Sequence, residues 1–175
     1  AKVTLEKFKL FLSVHNKNLT DNINVEDMFK NVKIYKCSSS KNSSSESCTN
    51  VIDTLDVPSK VVNANSRENN IVLIADNFRT LDNWDVYYAV KAQTSRYAKE
   101  NVDFKFVVTK DSFDHPENTN TNDRIDDSTI VWSADSNYWS IWKSNINVNY
   151  MNNWEDLDFV KWKANATAWE FVISS

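Results

Sequence analysis

Seven tryptophans, six tyrosines and nine phenylalanines make up 13% of the chain. Several tryptophans stand beside amides and carboxylates. The stretch Leu81–Val86, LDNWDV, sets Trp84 between Asn83 and Asp85. Trp132 and Trp139 bracket SADSNY, which contains Asn137. A flat indole stacks on the apolar C–H face of a sugar ring, while amides and carboxylates hydrogen-bond its hydroxyl edge. Trp84, Trp132, Trp139, Trp142 and Trp154 stand beside turns full of Asn, Asp and Ser, so exposed members of this set, with neighbouring amides and carboxylates such as Asn83, Asp85 and Asn137, form a candidate carbohydrate platform. The competing reading is that these rings fill the core. Trp162 and Trp169 lie in alternating strand-like runs, and burial is expected of them.

Catalytic chemistry has less to work with. The two histidines are His15 and His115, the latter beside Asp114 in a polar stretch. No motif points to a Ser-His-Asp triad, and a lone loop histidine reads as a surface residue. Paired carboxylates are formally available for glycoside hydrolysis, but such an enzyme needs a cleft that this chain length supplies only as a compact jelly roll. No catalytic residue, cofactor or metal is assigned. Asn118, Asn120, Asn122, Asp123, Asp126 and Asp127 offer calcium-type oxygens, yet the turn glycine and closing Glu of an EF-hand loop are missing. That stretch reads as a solvated loop.

The chain has no glycine, where ordinary usage would give roughly 12. This removes phosphate-cradling loops, dinucleotide turns and the G-x-S-x-G elbow, all of which need bare backbone. Asparagine, with 24 copies, is the residue best able to replace glycine where φ is positive. Net charge is −4 and the isoelectric point about 5.2, against nucleic acid as a partner. No apolar run approaches the roughly 18 residues of a membrane span.

The elements that must hold these residues read as strands. Alternation over 8–14 and 102–108, and compact apolar runs at 32–35, 51–55, 71–75 and 86–92, recur every 10 to 15 residues with Asn, Asp and Ser between them. Further runs follow at 129–132, 138–142, 146–150, 159–163 and 169–173. The pattern predicts one all-β domain over 1–175, a two-sheet antiparallel β-sandwich with long polar loops and little helix. One or two helical turns at 25–31 and a helix within 89–100 stay open as alternatives. Serine-rich 38–47 and polar 111–128 are expected as exposed loops. Cys37 and Cys48 flank the first, and a disulfide closing it is expected. Asn18, Asn42 and Asn165 head glycosylation sequons. The cysteine pair and the sequons together suggest a secreted protein, and the start at Ala1 without Met fits either a mature, processed product or a trimmed chain.

LDNWD at 81–85 resembles the L-G-N-W-D turn of family 20 carbohydrate-binding modules, which bind starch and glycogen. VDFKFVV at 102–108 is similar to that family's F-E-Y-K-F-V strand, and TIVWSADSNYW at 129–139 to its V-W-E-x-x-x-N-R-x-Y segment. This resemblance pairs Trp84 with Trp132. Family 21 modules offer a second match, through Asn83-Trp84 and YWSIWKSNINVNY at 138–150, which pairs Trp84 with Trp139. The resemblance spans about 71–150; the family glycines are absent and one family strand is abbreviated. It implies a non-catalytic module binding an oligo- or polysaccharide of α-glucan type. The alternative is a secreted effector or immune-evasion protein that grips a host protein through its aromatic surface. A lipocalin-like carrier is the third reading, weakened by the missing glycine of the G-x-W start.

Overall fold

The computed structural model describes residues 2–38, 48–81, 86–126, 134–142, 145–148, 157–160 and 166–173. In chain order the strands are β1 (Val3–Thr4), β2 (Lys7–Asn16), β3 (Ile23–Asn24), β4 (Phe29–Lys36), β5 (Asn50–Thr54), β6 (Val61–Val62), β7 (Ser66–Ala75), β8 (Thr80–Leu81) and β9 (Val86–Thr94). There follow β10 (Val102–Val108), β11 (Phe113–Asp114), β12 (Glu117–Asn118), β13 (Ala134–Asp135), β14 (Trp139–Trp142), β15 (Asn145–Val148), β16 (Leu157–Val160) and β17 (Ala166–Ile173). The expected all-β sandwich is what forms, with 3-10 turns at Val25–Asp27 and Lys110–Ser112 as the helical content of the described residues.

Every strand pairing among the described residues is antiparallel. In the larger sheet β2 lies between β7 and β10, and β14, β15 and β16 continue outward from β10. The smaller sheet runs β17-β9-β4-β5. β11 extends the line of β10 along β2, after the 3-10 turn, and β13 extends the line of β14 along β10. Two short ribbons, β12-β1-β8 and β3-β6, lie beside the sheets.

Period-two alternation decides which faces meet. Phe8, Leu10, Leu12 and Val14 on β2, and Val102, Phe104, Phe106 and Val108 on β10, are all buried. Val32 and Ile34 on β4 and Tyr88 and Val90 on β9 face them in one apolar cluster. Phe29 bridges the sheets, edge-on to Phe104 with ring centroids 5.1 Å apart. At the other end Phe8, Phe78 and Tyr88 form a chain of rings at 5.0 and 4.8 Å. Fully burying one such side chain contributes about 1.5–3 kcal/mol.

Some expectations need correction. The segment 89–100 is not helical. It continues β9 to Thr94, because a strand held between β4 and β17 gains two ladders that outweigh the helix preference of Ala and Lys. Nor is 111–128 one exposed loop. It contains the 3-10 turn, β11 and β12, and Ser112 is buried. The turn is held by a reciprocal cap in which Thr109 accepts from Asp111 N–H and Ser112 Oγ from Thr109 N–H. Finally, β7 begins five residues before the apolar run, at Ser66.

Missing glycine is met by asparagine. Positive φ is found at Asn65 (51°), Asn70 (60°), Asn101 (58°), Asn122 (57°) and His115 (45°). Asn70 sits where the β2–β7 register slips between Leu12 and Val14, the bulge position that otherwise calls for glycine. Two β7 residues, Asn69 and Asn70, there stand opposite the single Ser13, whose hydroxyl donates to Asn69 Oδ1 at 2.5 Å.

Candidate functional site

Of the ring residues singled out, Trp139 is a core residue. It opens β14 directly across from Phe104, is 4% exposed, and lies nearly parallel to the Phe104 ring at 6.3 Å. A ring so enclosed presents no face to a sugar, so the pairing of Trp84 with Trp139 is corrected. Asn137 is half-buried, and its carbonyl accepts the Ser136 hydroxyl at 2.8 Å. Ser136 is itself buried and exchanges bonds with Phe106, so the 136–138 link is firmly held.

Asn83, Trp84 and Asp85 fall in 82–85, and Trp132 falls in 127–133, all outside the described residues. Their frame is described. Residues 82–85 connect β8 to β9, and 127–133 lead into β13. β8 pairs with β1 just before β2 begins, while β13 pairs with the C-terminal end of β10, which lies against the first half of β2. Both connections therefore join strands at one end of the sandwich. Leu81 is buried there against Val3, and Leu5 N–H donates to Arg79 O at 2.8 Å.

Cys37 and Cys48 form the expected disulfide, with Cα atoms 4.0 Å apart. It lies on the outer face of the smaller sheet, in a small cluster with Tyr35, Ala89 and Tyr87. Lys91, buried on the same face, donates to Cys48 O at 2.7 Å and sits 4.4 Å from the centre of the Tyr35 ring. Burial pushes the Tyr35 hydroxyl pKa above its ordinary value. Of the sequons, Asn42 and Asn165 lie outside the described residues. Asn18 is half-buried, and its Nδ2 donates to Asn16 Oδ1 at 2.9 Å and to Glu100 O at 2.8 Å. Both hydrogens are thus used internally, and a glycan would replace one of them.

His115 Nδ1 lies 3.1 Å from both Glu6 Oε2 and Asp114 Oδ1. These three groups are close enough to one another to share a cation. The Lys9 ammonium, 3.2 Å from the other Asp114 oxygen, adds positive charge. Burial pushes the Asp114 carboxyl up, but Lys9 and then His115 outweigh it and hold the pKa below its ordinary value. The group reads as an ion-pair cluster that ties β11 to the start of the chain.

Two exposed rings escaped the sequence reading. Tyr138 is 37% exposed on the outer face of the larger sheet, with Arg67 and Lys105 over its ring at 5.6 and 5.1 Å. Tyr97 is 65% exposed and lines a cleft of about 250 Å³ at the end of the sandwich where β9 leads into β10. The available signal for Tyr97 was an aromatic in the polar segment SRYAKE, one placed among helix formers. Comparison with protein-family models, with curated proteins and with solved structures finds no match for the chain.

Proposed function

We propose that this protein is a non-catalytic carbohydrate-binding domain of the secreted type, taking an α-glucan-like chain at the end where β8 runs into β9. The observation that supports the reading most is topological. The LDNWD connection and the segment carrying Trp132 both join strands at that end of an antiparallel β-sandwich. Two indoles carried in these connections, with Asn83 and Asp85 adjacent to the first in sequence, would supply the stacking and hydroxyl-bonding groups that a glucan requires. Asn137, close in sequence to β13, is a further polar candidate. The Cys37–Cys48 disulfide supports an oxidising compartment. No helix among the described residues is long and apolar enough to cross a membrane.

The test is tryptophan fluorescence during titration with maltoheptaose, for wild type, Trp84→Ala and Trp132→Ala. The buried Trp139 gives a constant background. A saturable change in the wild type, weakened about tenfold or more in each folded variant, is expected, since stacking contributes about 0.5–1.5 kcal/mol beyond area burial. No response in the wild type overturns the reading and directs the search to a protein partner. An unfolded Trp84→Ala would make Trp84 a core residue.

A further inference from the structure

We infer that the cleft beside Tyr97 is a second ligand site, which accepts a single hexopyranose ring. It extends the carbohydrate reading to the end where β9 leads into β10 and shares no residue with the 82–85 connection. The cleft has a volume of about 250 Å³, below the roughly 300 Å³ at which pockets begin to hold drug-sized ligands. Its floor is apolar: Ile23 and Met28 line it and are buried. Val61 and Tyr97 also line it, and they are 56% and 65% exposed. The polar lining is Asn22, Asn24, Asp27 and Lys99; Asn24 Nδ2 is engaged with Glu26 and Ser59 and the Lys99 ammonium with Asp21, which leaves Asn22 and Asp27 to meet a ligand. Asn22 Oδ1 accepts from Ala64 N–H, while its Nδ2 bonds no described residue. The Asp27 carboxylate likewise has no described partner. An aromatic ring, an apolar floor, an amide donor and a carboxylate acceptor match the C–H face and paired hydroxyls of a sugar ring.

An exposed tyrosine alone would mean little. This one is held in place before any ligand arrives. Tyr97 N–H donates to Ser95 Oγ, Ala98 N–H to Ser95 O, and Ser95 N–H to Met28 O, at 3.1, 3.1 and 2.9 Å. Arg96 lies 4.7 Å from the ring centre and donates to the Tyr97 hydroxyl. The facing wall is fixed as well. Ile23 pairs with Val62, Val25 N–H donates to Lys60 O, and the buried Asn16 amide reaches Asp21 O and Val62 O. A site whose groups are already ordered loses little conformational entropy on binding.

Backbone amide NMR of the full chain, titrated separately with glucose, galactose and glycerol to about 50 mM, tests this, since one ring on few contacts should bind in the millimolar range. The expected result is saturable shifts confined to amides of 22–28, 61–62 and 95–99 with at least one hexose. These shifts should vanish in Tyr97→Ala, weaken at least fivefold in Asp27→Asn, and persist in Trp84→Ala. No hexose-dependent shifts there, equal shifts with glycerol, or shifts unchanged in Tyr97→Ala would each overturn the proposal. Maltoheptaose in the same experiment reports on 78–90 and 134–138, so failure of the Trp84 end registers separately.

Discussion

Asn16→Asp removes two protons from the most connected polar side chain in the described core. Asn16 is fully buried. Its Nδ2 donates to Asp21 O at 2.7 Å, Asn63 O at 3.1 Å and Val62 O at 3.2 Å, one hydrogen being shared. Its Oδ1 accepts from the backbone N–H and the Nδ2 of Asn18. The aspartate variant keeps shape and acceptor but turns an oxygen toward three carbonyls. Two lost buried donations, with carbonyls left short of partners, cost about 1–3 kcal/mol each, so about 3 kcal/mol in total is expected at pH 7. For a domain of this size that lowers Tm by about 6–12 °C. The new carboxyl should have its folded pKa raised by the carbonyls around it. Its stabilising, protonated form is then fully present below the unfolded value near 3.9 and is lost as pH rises through the folded one. The deficit relative to wild type should therefore be smaller at pH 4 than at pH 7. Urea unfolding followed by circular dichroism at both pH values measures this. A pH 7 difference under about 0.5 kcal/mol, or a larger deficit at pH 4, would refute the hub assignment.

Three other outcomes are expected. Replacing Cys37 and Cys48 together by Ala should cost about 3 kcal/mol in denaturant unfolding, the loop entropy of an 11-residue separation; a change under 1 kcal/mol would show that Lys91 and Tyr35 hold the loop unaided. Asn70→Ala and Asn101→Ala should each destabilise by about 1–2 kcal/mol while Asn70→Gly and Asn101→Gly do not, because only the former clash at positive φ; equal losses in thermal melts would refute the glycine-substitute reading. Asp114 has a depressed folded pKa, so its contribution is present above the unfolded value near 3.9 and is lost as pH falls through the lower folded one. Stability measured below pH 4 should thus fall less steeply in Lys9→Met than in wild type, and parallel curves would count against the pair.

Much of the fold was legible because period two is a local signal. The alternation on β2 and β10 named core residues that the two sheets do bury, and the Cys spacing matched a β4–β5 hairpin closed by a disulfide. What stayed hidden depended on partners distant in sequence. Lys91 favours helix in isolation, but in β9 it pairs with Lys33 on one side and Thr167 on the other. Likewise composition could show that asparagine replaces glycine, though not that Asn65, Asn70, Asn101 and Asn122 are the ones that take positive φ among the described residues. Asn70 does so because β7 sets two residues, Asn69 and Asn70, against the single Ser13, and that slip is a property of the β2–β7 register.

The site was harder to read for the same reason. Trp139 and Tyr138 share one polar sequence context, yet they take opposite fates. Register sets Trp139 across from Phe104, on the inward face of the larger sheet, and adjacency then sends Tyr138 outward between Arg67 and Lys105. A polar neighbourhood in sequence therefore cannot certify an exposed ring; strand parity decides. Tyr97 escapes that rule because it stands in the turn between β9 and β10, where neither face belongs to a sheet. Trp84 falls in sequence between β8 and β9, outside the described residues. Parity does not commit a ring in such a connection to the core, so connections rather than strands are where this scaffold can hold aromatic rings out to a ligand.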